Sequence, residues 1–318
     1  MFVLLWSSGY LVGSLATQVI APLAVTLWRF VVAALVLAAA AAWRRERWPR
    51  GRELASVAAV GVPMFAVQFG ALYTALGDGM PASTTSLIAC SSPLLVAVIG
   101  FVAGWEPLSR MQAAGVTLGL AGVVITLADR VGRPPSVTAL AWTLLGLAGL
   151  TAGTVLQSRL RSGAGPSAVA AVELAAGCAV LAVWAPLRGP VSIPISTHAL
   201  STFAWLALVT GVGGPLLLFK LIRQRGATRA SSYLFVVPAV TAIGAWPILG
   251  TPLQPTAVAG LGVAAAGLWL ASPARSARRV RRSAATRQPH AATGRRPLQP
   301  ETASLAPGRL RGPVAHRG

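Results

Sequence analysis

The sequence predicts an all-α integral membrane protein with about ten transmembrane helices, arranged as two inverted five-helix repeats. Three observations predict this fold: an apolar composition, apolar windows of membrane-crossing length, and a match between the two halves of the chain. Of the 318 residues, 55% are hydrophobic and only 11% are charged, whereas soluble domains carry about 25% charged residues. The composition therefore excludes a soluble globular protein over the whole length.

The apolar windows define the expected elements. Each is 16 to 24 residues long, close to the roughly 20 residues that a helix needs to cross a bilayer core. The windows are residues 2–17, 22–43, 54–76, 81–104, 111–128, 138–157, 166–187, 199–222, 229–249 and 254–272. For the first window, a signal peptide is the alternative. The resulting division is a first repeat at 1–128, an external linker at 129–137, a second repeat at 138–272 and a tail at 273–318.

The basic residues predict the orientation. With the N-terminus inside, eleven arginines fall in cytoplasmic loops and three fall in external loops. This excess satisfies the positive-inside rule. We therefore expect a multi-pass protein of a bacterial plasma (inner) membrane, with both termini in the cytoplasm.

The tail after residue 272 is rich in arginine and lacks aromatic residues, so we expect it to be disordered. Its first arginines follow the last span directly, where they could bind anionic lipid headgroups. These arginines are Arg275, Arg278, Arg279, Arg281 and Arg282. The alternative is a protein or nucleic-acid contact, but the basic residues are distributed as in a membrane protein, so we expect no nucleic-acid partner.

The two halves of the chain match. Residues 21–37 align with 165–181 at an offset of 144, which places Arg29 on Glu173, and further on an offset of 145 places Pro93 on Pro238. Because each repeat holds five spans, an odd number, the second copy enters the membrane upside down. Inverted repeats of this kind build secondary transporters, with the substrate site near the midplane at the repeat interface.

The same segments carry a family resemblance. The stretch from Ser86 to Leu95, the turn from Trp105 to Ser109, and their second copy from Tyr233 to Leu253 resemble the EamA repeat of the drug/metabolite transporter (DMT) superfamily. The early Leu5–Tyr10 pattern, LWSSGY, fits as well. The resemblance implies a ten-helix secondary transporter, commonly an exporter of amino acids or other small metabolites.

Charges inside spans are the first candidates for a substrate or ion pathway, because each costs about 2.5–3.5 kcal/mol at mid-helix. They are Arg29, Glu173 and Lys220. Arg29 could meet a polar or zwitterionic substrate, and Glu173 could carry a coupling proton. The alternative is that Arg29 fixes neighbouring helix ends and that hydroxyls hold Glu173. Lys220 lies near a span end, where it could snorkel.

Uncharged polar residues and two prolines complete the candidate set. Pro93 and Pro238 fall mid-span, where a proline frees a carbonyl, either as substrate-facing backbone or as a packing kink. Four hydroxyl residues lie near Pro93: Thr85, Ser86, Ser91 and Ser92. Gln68 and Tyr73 lie five residues apart in the third window, not on quite the same helix face, and we expect one of them to line the cavity.

Enzyme signatures are absent: the sequence has no GxSxG, HExxH or Walker motif. We therefore expect no enzyme activity, no cofactor and no metal. The partners we expect are a small-molecule substrate and the bilayer. The small-residue steps Gly115/Gly119/Gly122 and Gly260/Gly267 favour close helix packing or a homodimer face. The alternative function is a non-transporting membrane scaffold or lipid-handling accessory protein that shares the fold.

Overall fold

The structure is a computed structural model that describes residues 1–105, 109–128, 136–214, 217, 236–251 and 255–271. Within these residues every secondary-structure element is a helix. The predicted all-α fold is therefore confirmed.

The first repeat contains seven α-helices and one π-helical segment. They are α1 (Phe2–Ala16), α2 (Pro22–Trp43), α3 (Arg52–Gly61), the π-segment Val62–Val67, α4 (Gln68–Gly77), α5 (Ala82–Cys90), α6 (Ser92–Val102) and α7 (Arg110–Ala128). The segments from Arg52 to Gly77 form one helical stretch. Pro22 begins α2, at a position where a proline costs no helical hydrogen bond.

The described part of the second repeat contains five α-helices, one 3₁₀ turn and one π-helical segment. Its elements are α8 (Val137–Arg159), α9 (Pro166–Trp184) with a 3₁₀ turn Ala185–Leu187, α10 (Thr197–Ala204), the π-segment Trp205–Gly213, α11 (Val237–Leu249) and α12 (Pro255–Ala271). Pro166 and Pro255 begin helices in the same way as Pro22. Ser136 and Ser196 cap α8 and α10, because their hydroxyls accept the N–H groups of Ala139 and Ala199.

The helices agree with the apolar windows. Among the described residues, five helical stretches are long and apolar enough to cross a membrane: Pro22–Trp43, Arg52–Gly77, Ala82–Val102, Val137–Arg159 and Pro166–Leu187. Shorter apolar helices cover Phe2–Ala16, Arg110–Thr126, Val237–Leu249 and Pro255–Ala271. The eighth window contains helical residues from Thr197 to Gly213, so each predicted window contains helix.

Equivalent helices of the two repeats pack against each other in opposite directions. A Cβ at Gly115 would meet Ala271, and one at Gly122 would meet Ala264 and Gly260, so α7 and α12 run antiparallel. The small residues allow the two backbones to touch. The glycine steps therefore serve packing within the chain, and these residues are not available as a homodimer face.

Pro93 and Pro238, which the sequence places in the middle of apolar windows, lie at helix starts. Cys90 ends α5, Ser92 begins α6, and Pro93 lies in the first turn of α6, so the fourth span is interrupted rather than bent as one continuous helix. Pro238 likewise lies in the first turn of α11. Because a first-turn N–H has no helical partner, proline is tolerated there without a kink. Pro63 lies at the start of the π-segment, within the stretch Arg52–Gly77. Pro247 lies inside α11.

Candidate functional site

A cavity of about 60 Å³ lies beside α1, α2, α4 and the second π-segment. This volume accommodates several water molecules or a small polar group. Its lining joins one cation to aromatic, aliphatic and amide side chains: Leu5, Trp6, Gly9, Tyr10, Arg29, Gln68, Phe69, Leu72, Tyr73 and Thr210. Three predicted site residues, Arg29, Gln68 and Tyr73, therefore line one cavity. The first repeat supplies most of the lining, and Thr210 comes from the second.

Arg29 is the charged residue of this cavity. It lies seven residues into α2 and is only 4% exposed. Its guanidinium carbon lies 4.6 Å from the ring centre of Phe30, 4.5 Å from that of Phe69 and 4.8 Å from that of Tyr73. Aromatic rings at these distances stabilise a cation through their quadrupoles. They do not neutralise it, so a full positive charge remains at the cavity wall.

The hydrogen bonds of Arg29 lead to Tyr73. The Nη1 group of Arg29 donates to the Tyr73 hydroxyl, which donates in turn to the Gly9 carbonyl over 3.1 Å. This chain ties together α2, α4 and α1. The Nε atom of Arg29 is buried without a hydrogen-bond partner among the described residues, so part of its donor capacity is unused.

Gln68 and Tyr73 both line the cavity, although we expected only one of them to do so. Phe69 and Leu72, which lie between them, line it too. The cavity therefore extends around a wide face of α4, and side chains about 140° apart on the helix reach it. Gln68 is 5% exposed and supplies an amide that can donate and accept hydrogen bonds.

Two π-helical segments flank the cavity. Val62–Val67 directly precedes Gln68, and Trp205–Gly213 contains Thr210. At the repeat offset of 144, residues 62–67 correspond to 206–211, inside the second segment. Single π-turns in α-helices occur frequently at functional sites. Their presence at matching positions in both repeats supports a functional role for the cavity.

Sequence reasoning missed several lining residues: Trp6, Tyr10, Phe69 and Thr210. Trp6 and Tyr10 are four residues apart and share one face of α1, so their spacing was a readable signal. Phe69 lies next to Gln68 in the chain, but an aromatic residue is common in an apolar span and gave no signal of its own. Nothing in the sequence distinguished Thr210 from the other hydroxyl residues of its span.

Glu173 lies outside the cavity lining. It is buried, with 5% of its surface exposed. Its Oε1 atom is buried without a partner among the described residues. A Cβ at Gly61 would overlap the Glu173 backbone carbonyl, so α9 and α3 are in direct backbone contact here. Among the described residues an ion pair joins Arg47 to Glu53 at 2.8 Å, and none joins Arg29 to Glu173.

The hydroxyl residues near Pro93 also lie outside the cavity lining. Thr85, Ser86 and Ser91 donate to carbonyls of their own helix over 3.0, 2.8 and 2.6 Å. Ser92 lies 3.2 Å from the Thr151 hydroxyl of α8. All four are buried. Neither Pro93 nor Pro238 lines the cavity, and a role for this group in substrate contact stays a prediction.

The remaining predictions fall outside the described residues. Lys220 lies in the stretch 218–235, and the lipid-contact arginines Arg275, Arg278, Arg279, Arg281 and Arg282 lie beyond residue 271.

Comparison with known proteins matches most of the chain to one family. A family model described as the EamA-like transporter family matches residues 1–128 and again 137–272. The chain is 26% identical over 254 residues to the "Uncharacterized inner membrane transporter YedA" of Escherichia coli (strain K12), with 79% of each chain covered. It is 23% identical over 268 residues to the "Uncharacterized transporter YvbV" of Bacillus subtilis (strain 168), with 81% of this chain and 85% of the relative covered.

One solved structure, described as a crystal structure of a protein, has a TM-score of 0.58 and 20% identity to this chain. The match covers 88% of this chain and 96% of the other. At this identity the likeness extends to the fold alone.

Proposed function

The chain belongs to the EamA-like transporter family, and on that premise we propose that it is a secondary transporter that exports a small metabolite by alternating access. Its relatives are named as transporters, and its apolar helices are those of a multi-pass protein of the plasma membrane. Amino acids are the substrate class that the family resemblance implied.

The observation that carries this proposal is a buried, unneutralised cation beside a cavity. An arginine inside a membrane helix is costly and marks a substrate or ion pathway. Arg29 meets this description, because it is 4% exposed and lines the cavity together with Gln68 and Tyr73. The substrate binds in this cavity through a polar group that faces Arg29.

Thr210 supports the alternating-access part of the proposal. It brings the second repeat to a cavity that the first repeat otherwise forms, and transporters of this architecture hold substrate between their repeats. Rocking of one repeat against the other would change which side of the membrane reaches Arg29. The N-terminus and C-terminus lie in the cytoplasm, following the arginine distribution.

Glu173 provides the coupling proton in this proposal. Its carboxyl group is buried with one oxygen unpartnered, and a buried carboxyl can exist in neutral and charged forms that differ in their demand for partners. It occupies the position of the second repeat that corresponds to Arg29. A proton taken up here is exchanged for the substrate that Arg29 holds.

The test is flux in proteoliposomes. Purified protein is reconstituted and assayed with radiolabelled amino acids and other small metabolites, with and without a pH gradient, for the wild type and Glu173→Gln. Gradient-dependent flux of one compound, lost in the variant, is the expected result. Flux that is independent of the gradient in both proteins would contradict proton exchange. The absence of any flux across the panel would favour a non-transporting membrane module.

A further inference from the structure

The charge of the cavity narrows the substrate class. From the surroundings of Arg29 we infer that the site selects an organic monocarboxylate with an apolar body over the amino acid of the same skeleton. Because this inference rests on the proposed function, binding and flux are tested separately below. The selected group is a carboxylate without a neighbouring ammonium.

The guanidinium of Arg29 has no counter-ion among the described residues. Among the described residues that line the cavity, Arg29 is the one cation and no side chain is acidic. Buried charges in proteins are normally paired, but no described residue forms an ion pair with Arg29. An anionic ligand would complete this pair, and a planar carboxylate fits the N–H groups of a guanidinium with two parallel hydrogen bonds.

Acidic residues are scarce in this chain. The whole chain has seven: Glu46, Glu53, Asp78, Glu106, Asp129, Glu173 and Glu301. The four that the structure describes are absent from the cavity lining. The sequence places the other three in predicted turns, the linker and the tail. The ammonium of an amino acid would therefore enter the cavity without an acidic partner, and a buried unpaired charge is costly.

The other residues that line the cavity are mostly apolar or aromatic. Trp6, Tyr10, Phe69 and Leu72 face the same space as Arg29. These side chains favour a short apolar body, and none of them supplies the negative charge that an ammonium group would need as an ion-pair partner. Three rings also hold the guanidinium in place, so the cation is preorganised and binding costs less ordering.

The experiment compares acids with amino acids that differ only by the ammonium group. The pairs are acetate with glycine, propionate with alanine, and 3-methylbutanoate with valine, all small enough for a cavity of about 60 Å³. Binding is measured by thermal stabilisation of the full-length protein in detergent, and flux of the same compounds is measured in proteoliposomes. The acid of at least one pair should bind roughly tenfold or more tightly than its amino acid.

Variants test whether Arg29 is responsible for the preference. Arg29→Lys keeps the charge and should keep the preference at lower affinity, whereas Arg29→Gln should lose it. Arg188→Gln is the matched control, since Arg188 lies over the Trp142 ring at 5.1 Å and does not line the cavity. The wild-type pairs alone are informative if a variant does not fold.

The outcomes separate this inference from the proposed function. Equal or tighter binding of every amino acid, or no binding of any acid, would overturn the monocarboxylate preference. Flux of amino acids without binding of acids would contradict the monocarboxylate preference and support the proposed transport function. Binding of acids without flux of any compound would support the site and contradict transport.

Discussion

Arg29 and Glu173 occupy corresponding positions of the two repeats, at an offset of 144, but their surroundings differ. Arg29 lies at the wall of a cavity, among three aromatic rings. Glu173 lies where two helix backbones meet, and Gly61 leaves no space beside its carbonyl. The two repeats therefore carry charged residues at corresponding positions in different environments. Arg29 borders a cavity, and the Glu173 backbone packs against α3.

The glycines show the same difference. A Cβ at Gly9, beside the cavity, would lie 3.8 Å from the Thr210 Cγ2 atom, an ordinary contact. A Cβ at Gly61 would overlap the backbone of Glu173. The Arg29 side chain therefore borders a cavity, whereas the Glu173 backbone is in tight contact with α3.

Arg29→Gln should have the largest effect on function. Removing the guanidinium takes away the charged partner of the substrate, and charge-assisted hydrogen bonds of a buried group are worth about 3 kcal/mol, or roughly 100-fold in affinity. Substrate-dependent thermal stabilisation and proteoliposome flux both measure this loss. Retention of wild-type affinity would remove the distinction between the two charged positions.

Gly61→Ala should have the largest effect on stability. The added methyl group must displace the α9 backbone, and overpacking of this kind costs about 1–3 kcal/mol. Thermal unfolding in detergent should show a lower Tm for Gly61→Ala than for the wild type. Gly9→Ala is the matched control and should unfold close to the wild type, because its methyl group fits. Equal losses in the two variants would show that the regions do not differ in packing.

Glu173→Gln should abolish the stimulation of flux by a pH gradient and leave substrate affinity nearly unchanged. The amide has the same shape but carries no exchangeable charge, so stimulation by a pH difference of one unit, about tenfold at most for one proton, should disappear. Substrate affinity in detergent should stay within about twofold of the wild type, since Glu173 does not line the cavity. A large loss of affinity would mean that Glu173 acts on the substrate site.

Tyr73→Phe should have the smallest effect. The variant removes the hydroxyl that accepts a hydrogen bond from Arg29 and donates one to Gly9, and such bonds contribute about 1 kcal/mol, or roughly fivefold in affinity. The ring and its contact with Arg29 remain. Saturation curves for flux should show a raised KM with little change in maximal rate, which would distinguish a positioning residue from a general loss of folded protein.

Hydropathy and the internal match predicted much of the fold. The windows at 22–43 and 166–187 match the helical stretches Pro22–Trp43 and Pro166–Leu187, because long apolar runs in lipid have few alternatives to a helix. The interruption beside Pro93 was visible as a proline, but its form was not. Whether a proline bends one helix or begins a second depends on neighbouring packing, which a single sequence does not specify.

The site was only partly predictable. Arg29, Gln68 and Tyr73 were identified because polar residues in apolar spans are conspicuous. The π-helical turns that flank them have no sequence signature, and Thr210 reaches the cavity only through the tertiary fold.

The most direct test of the account is cysteine protection beside Arg29. In a background with Cys90→Ala and Cys178→Ala, a cysteine is introduced by Thr210→Cys and, as the control, by Glu173→Cys, and a small water-soluble thiol reagent is applied to membranes with and without transported substrate. We predict that the cysteine at position 210 reacts and that substrate slows its reaction. The cysteine at position 173 should show no protection by substrate. Protection at position 173, or none at position 210 by a substrate that is transported, would contradict the assignment of the Arg29 cavity as the substrate site.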